Sequence, residues 1–191
     1  MATTEPIDVT LAVTSVLERL GVEYVVGGSL ATSLHGIPRA TLDADIVADL
    51  RMAHLEPFVA ALNATFFVDT DMVREAIRRR ATFNILHLAT MFKVDVFVTA
   101  ADDLLLAELS RKRRVRVSDE PQADLYVATP EDMVLQKLIW YRQGGGISDR
   151  QWSDVMGVIK TQGSRLDLAY LHLWADRKGL LDLLERALSE A

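Results

Sequence analysis

The chain has 191 residues, enough for one compact domain with a helical appendage and too few for two full domains. It contains no cysteine, which excludes disulfides, thiolate metal sites and a cysteine nucleophile, and a formal charge of −6 argues against a surface that grips nucleic acid throughout while leaving room for a local basic patch. No apolar run approaches the roughly 18 residues of a membrane span, and the first ten residues carry two acids and no Lys or Arg, so a soluble, cytoplasmic protein is expected.

In chain order, Val9, Val13, Val16, Leu17 and Leu20 recur at three and four, predicting an amphipathic helix over 7–20 that Gly21 stops. A strand over 22–26 follows; Gly27 and Gly28 break it, and 29–34 reads as a short helix closed by His35-Gly36. After the loop Ile37-Pro38-Arg39, residues 42–47 alternate apolar and acidic, so a strand places Asp43 and Asp45 on one face. A helix is predicted over 52–62, a second beginning at Met72 with Asp71 as its cap, and strands over 66–68, 82–88 and 91–98, the last two forming a hairpin. Residues 102–109 read as helix, and 115–117 and 125–128 as short apolar runs whose pairing the pattern leaves open. Pro130 after Thr129 opens an almost uninterrupted helical part, with helices near 131–142, 149–161, 166–177 and 180–189. The division expected is therefore 1–128 and 129–191. The fold class expected is α/β (α+β), a mixed sheet flanked by helices and ending in a helical bundle.

Chemistry concentrates where Gly27-Gly28-Ser29 precedes Asp43-Ala44-Asp45. A strand running into Gly-Gly-Ser and then a helix offers backbone N–H groups and a hydroxyl to an anion such as a phosphate. Two carboxylates side by side within a strand repel each other unless a cation lies between them, and magnesium is the ion that also binds phosphate oxygens. The second Asp-x-Asp pair, Asp69 and Asp71, lies at a helix start and reads as a cap. Asp95, in the run 92–98 that is apolar apart from it and Lys93, reads either as the partner of Lys93 on its own face or as a third metal ligand or base.

Together Gly27-Gly28-Ser29, Ala31, His35-Gly36, Arg39, Thr41, Asp43, Asp45 and Asp95 resemble the signature of the nucleotidyltransferase superfamily with the DNA polymerase β-type fold. Within it, the chain resembles small bacterial nucleotidyltransferase-like proteins related to the AbiEii/AbiGii toxins. That likeness extends through Thr129-Pro130-Glu131-Asp132, Lys137, Tyr141, Arg142 and the run Ser148 to Asp154. Gln151 departs from the toxin pattern, which has Asp there, while Asp154 is kept; the departure bears on toxin activity rather than on the nucleotide site. The resemblance implies transfer of a nucleoside monophosphate from a nucleoside triphosphate to a hydroxyl of an RNA, protein or small-molecule acceptor, in a toxin–antitoxin or defence setting among others. It implies two magnesium ions on Asp43, Asp45 and Asp95, with Gly27, Gly28, Ser29, Arg39 and Lys137 toward the nucleotide. A binding module of the same fold without turnover, and a small-molecule transferase of the aminoglycoside-modifying kind, are the alternatives.

Two basic runs, 78–80 and 111–116, read either as solvated loop or as a path for RNA phosphates. The four histidines lack ligand spacing, which argues against zinc. Gly144-Gly145-Gly146 reads as a connector between helices, and the leucines of the last helix as core or as the surface of a homodimer or a partner protein.

Overall fold

The computed structural model describes residues 5–38, 40–99, 102–119 and 122–191. It divides into two compact units, Met1–Leu30 with Thr41–Val127 and Ala31–Ala40 with Ala128–Ala191.

The first unit is a seven-stranded mixed sheet with helices. Its strands are β1 (Tyr24–Val26), β2 (Asp43–Ala48), β3 (Phe66–Phe67), β4 (Thr82–His87), β5 (Lys93–Val98), β6 (Arg113–Asp119) and β7 (Gln122–Val127), in the order β3-β4-β5-β2-β1-β7-β6. β2 runs parallel to β5 and β1 parallel to β7; the remaining neighbours are antiparallel. Its helices are α1 (Glu5–Arg19), α3 (Leu55–Leu62), α4 (Thr70–Arg79) and α5 (Asp103–Arg111), while α2 (Gly28–His35) starts in this unit and is continued by the second.

Alternation decides which side of the sheet is core. Ala44 and Ile46 on β2, Val94 and Val96 on β5, and Phe83 and Ile85 on β4 are buried, and because side chains two apart share a face, these residues turn one way and their odd–even counterparts the other. Phe58 of α3 packs edge-on against Phe83, with ring centroids 6.1 Å apart. The opposite face therefore receives Asp43 and Asp45 from β2, Lys93 and Asp95 from β5, and Asn84 from β4.

Two local expectations change. Asp69, not Asp71, caps α4: its carboxylate accepts from the backbone N–H groups of Asp71 and Met72, so the helix begins two residues earlier than predicted. The basic run 111–116 is not a loop but the end of α5 and the start of β6, which pairs with β7 in an antiparallel hairpin. Arg114 and Arg116 both pair with Asp124 across that hairpin, and Lys112 pairs with Glu23. Charged side chains on this edge strand blunt it against pairing with another chain.

The second unit consists of residues 31–40 and the helices α6 (Pro130–Gln143), α7 (Asp149–Gln162), α8 (Leu168–Arg177) and α9 (Leu181–Glu190). Thr129 and Asp132 form a capping box at the start of α6, with Pro130 at its first position, where a missing N–H costs nothing. The Asp132 carboxylate, fully buried, also accepts from Tyr170 Oη at 2.6 Å, tying α6 to α8. Gly145 and Gly146 adopt φ of +78° and +73° and close α6 with backbone bonds to Arg142 and Tyr141. In α9, Leu184 is buried while Leu181 is exposed, so its leucines divide between core and surface. Among the described residues no helix is long and apolar enough to cross a membrane.

Candidate functional site

The turn after β1 is built around glycine for a specific steric reason. Gly27 N–H donates to the carbonyl of Asp45 at 2.9 Å, which draws the turn onto β2. Gly28 then opens α2 at φ +57°, and a Cβ placed on it would fall 1.7 Å from Asp45 Oδ2. Only a residue without a side chain lets the Asp45 carboxylate lie against the backbone here. Ser29 follows in the first turn of α2 and is buried. The two halves of the sequence pattern thus meet in space within the first unit.

Strand register brings the third acid to the same place. β2 and β5 are parallel, with Asp45 level with Asp95 and Asp43 level with Lys93. Thr41 Oγ1 donates to the Asp43 carbonyl at 2.9 Å and to its Oδ1 at 3.2 Å, fixing the first residue of the acidic strand. Lys93, two residues before Asp95 on the same face, places Nζ 2.6 Å from Asp95 Oδ2. That hydrogen bond, reinforced by the charges of Asp95, Asp43 and Asp45, holds the Lys93 ammonium above its ordinary lysine range.

Asn84 completes the row. It is exposed on β4 and stands directly opposite Asp95 in the antiparallel register, so an amide able to donate and accept lies beside the third acid. The sequence signal for it is the hairpin centred on residues 88–91, which aligns 84 with 95, together with the alternation along Phe83, Asn84 and Ile85, which turns Asn84 toward the acids. Strand alternation alone makes Lys93 the companion of Asp95; its position level with Asp43 follows from the pairing of β2 with β5.

Three carboxylates are hard oxygen donors of the kind magnesium takes, so the residues suit that ion in chemistry. Among the described residues no three acidic or histidine side chains converge closely enough to hold an ion as they stand, and the positive charge among the acids is supplied by Lys93. Lys137, on α6 in the second unit, is buried and ion-paired with Asp154 at 2.9 Å, both side chains at most 7% exposed, with its ammonium over the Trp140 ring. It is therefore withdrawn from solvent. Arg39 lies outside the described residues.

Solved structures share this architecture. The antibiotic-resistance factor ANT(2'')-Ia in solution is similar over 96% of this chain and 99% of its own, with a TM-score of 0.55 and 10% identity. An antigenic nucleotidyltransferase-like protein from Paracoccidioides brasiliensis is similar over 98% and 94%, with a TM-score of 0.54 and 15% identity. The lincosamide antibiotic adenylyltransferase LnuA, lincomycin-bound, covers 83% of this chain and 98% of its own, with a TM-score of 0.51 and 11% identity. The fold is that of the nucleotidyltransferases. The mixed sheet flanked by helices expected from the sequence is the sheet of this nucleotidyltransferase fold. No protein-family model matches the chain, and no curated protein matches it by sequence.

Proposed function

We propose that the chain is a nucleotidyltransferase that moves a nucleoside monophosphate from a nucleoside triphosphate to an acceptor hydroxyl, with pyrophosphate leaving. The observation that carries this reading is the meeting of the Gly27-Gly28-Ser29 turn with Asp43, Asp45 and Asp95 on one sheet face. In it, the turn amides and Ser29 Oγ bind terminal phosphates at the start of α2, and Asp43 and Asp45 hold magnesium. Asp95 completes the ligands or takes the proton of the attacking hydroxyl. When bound, magnesium supplies charge neutralisation on the phosphate oxygens. Asn84 orients the acceptor beside Asp95.

We favour a small polyhydroxylated acceptor. Lys112, Arg114 and Arg116, which would otherwise line a path for RNA phosphates, are each paired with an acid of their own unit, and the formal charge of −6 suits a neutral or cationic acceptor. The names of the similar structures, an antibiotic-resistance factor and a lincosamide adenylyltransferase, support the same class. A toxin–antitoxin or defence role rests on the sequence resemblance over 129–154, and growth arrest on expression, relieved by Asp45→Asn, is its test.

The activity is tested without knowing the acceptor. Calorimetric titration of the four nucleoside triphosphates, with and without magnesium, is expected to show magnesium-dependent binding to the wild type that Asp45→Asn loses by about tenfold or more, with the melting temperature preserved. Full binding by Asp45→Asn would remove the carboxylate from the site; absence of binding by any triphosphate would leave a module of the same fold without this activity.

A further inference from the structure

Asp43, Asp45 and Asp95 bring three carboxylates onto one face of two neighbouring strands, and like charges so placed repel each other strongly unless a cation lies among them. The chain carries such a cation itself. Lys93 stands level with Asp43 in the strand register, two residues from Asp95, and its Nζ is 2.6 Å from Asp95 Oδ2. Its side chain is 44% exposed while that of Asp95 is 17% exposed. A half-exposed lysine on a four-carbon stem can withdraw its ammonium into water at small cost, and the shorter, less exposed Asp95 side chain cannot follow. We propose that Lys93 is a tethered counter-ion that competes with the divalent metal for Asp95: it holds the acids together in the metal-free protein and sets the metal concentration at which the site loads. This rests on the reading of the three acids as metal ligands.

Competition has a direction that a merely structural ion pair does not. A metal that takes Asp95 must first displace the ammonium, so removing the charge tightens metal binding while it weakens the metal-free fold. A guanidinium, which forks onto a carboxylate through two donors, is harder to displace.

The test needs no nucleotide. Manganese binding to the whole protein is measured by the loss of the free-ion paramagnetic resonance signal, for the wild type, Lys93→Met, Lys93→Gln, Lys93→Arg and Asp95→Asn, alongside melting temperatures with and without manganese. Lys93→Met and Lys93→Gln are expected to bind manganese about tenfold more tightly than the wild type, to melt lower without metal, and to regain the difference when it is added. Lys93→Arg is expected to bind more weakly, and the gain from Lys93→Met to vanish in the Asp95→Asn background. Equal or weaker binding by both neutral variants, with a wild type that does bind, overturns the counter-ion role and leaves the metal site standing. Should the neutral variants not fold, binding by Lys93→Arg as tight as by the wild type overturns it. No binding by any variant at millimolar manganese overturns the metal reading, and the counter-ion with it.

Discussion

Gly28 and Asp45 cannot be changed independently, because the carboxylate of one occupies the space a side chain on the other would need. Gly28→Ala is expected to lose metal-dependent nucleotide binding and to cost about 2–4 kcal/mol of stability, from a strained positive φ and the collision together. Asp45→Ala removes the two nearest colliding atoms, so the double variant should be less destabilised than the sum of the singles, which a denaturation cycle measures; strict additivity would mean that the two residues do not share that space. Lys137 presents the other kind of residue-scale constraint. Its ammonium and the Asp154 carboxylate are both withdrawn from water, so Lys137→Met removes the countercharge of a buried carboxylate and is expected to cost about 3–5 kcal/mol. Urea unfolding checks it, and recovery in Lys137→Met with Asp154→Leu would assign the loss to the stranded charge.

At the scale of elements, the local signals were readable and the non-local ones were not. The 3.6-residue period marked α1 and the later helices, and the acid–apolar alternation of 42–47 marked β2, because each depends on residues close in sequence. The β4–β5 hairpin was visible for the same reason. The β6–β7 hairpin stayed open, because the short apolar run 115–117 sits among arginines whose charge is met only when Asp124 faces both Arg114 and Arg116 across the hairpin. The partners of Lys93 were hidden likewise, since β2 and β5 are separated by two helices and two strands. The α8–α9 pair carries a titration that the sequence did not announce. The Leu168 carbonyl and then the Glu185 carboxylate hold the His172 imidazole above its ordinary value. Because the folded value is the higher one, this contact contributes fully below the unfolded pKa near 6.5 and is lost as pH rises through the folded value. Thermal melts across neutral pH should show a small decline, under about 1 kcal/mol for a surface pair, that disappears in His172→Ala; an identical decline in that variant would place the titration elsewhere.

For the molecule as a whole, the chain does not run through the first unit and then the second. It leaves the first at Leu30, comes back at Thr41 and leaves again after Val127. Within the second unit, Gln162 donates to the His35 carbonyl at 2.6 Å, the His35 ring lies 2.6 Å from the carbonyl of Ala128, and Gly36 packs so closely that a Cβ there would stand 3.1 Å from the backbone of Gly157 and Val158. A chain cut after Ala128, the boundary that composition suggests, would keep the Ala128 carbonyl but strand residues 31–40 without Gln162, Gly157 and Val158. It is expected to melt lower and less cooperatively than the full chain by circular dichroism, and an equally sharp melt would show that the excursion is dispensable. The consequence reaches protein synthesis. Residues 31–40 leave the ribosome about 110 residues before α7, which begins at Asp149 and carries their helical partners, and at about 5–20 residues per second they wait several seconds for them. All that time they are joined on one side to the glycine turn and on the other to the acidic strand, so the two segments that make the site are linked by the part of the chain that is last to find its neighbours.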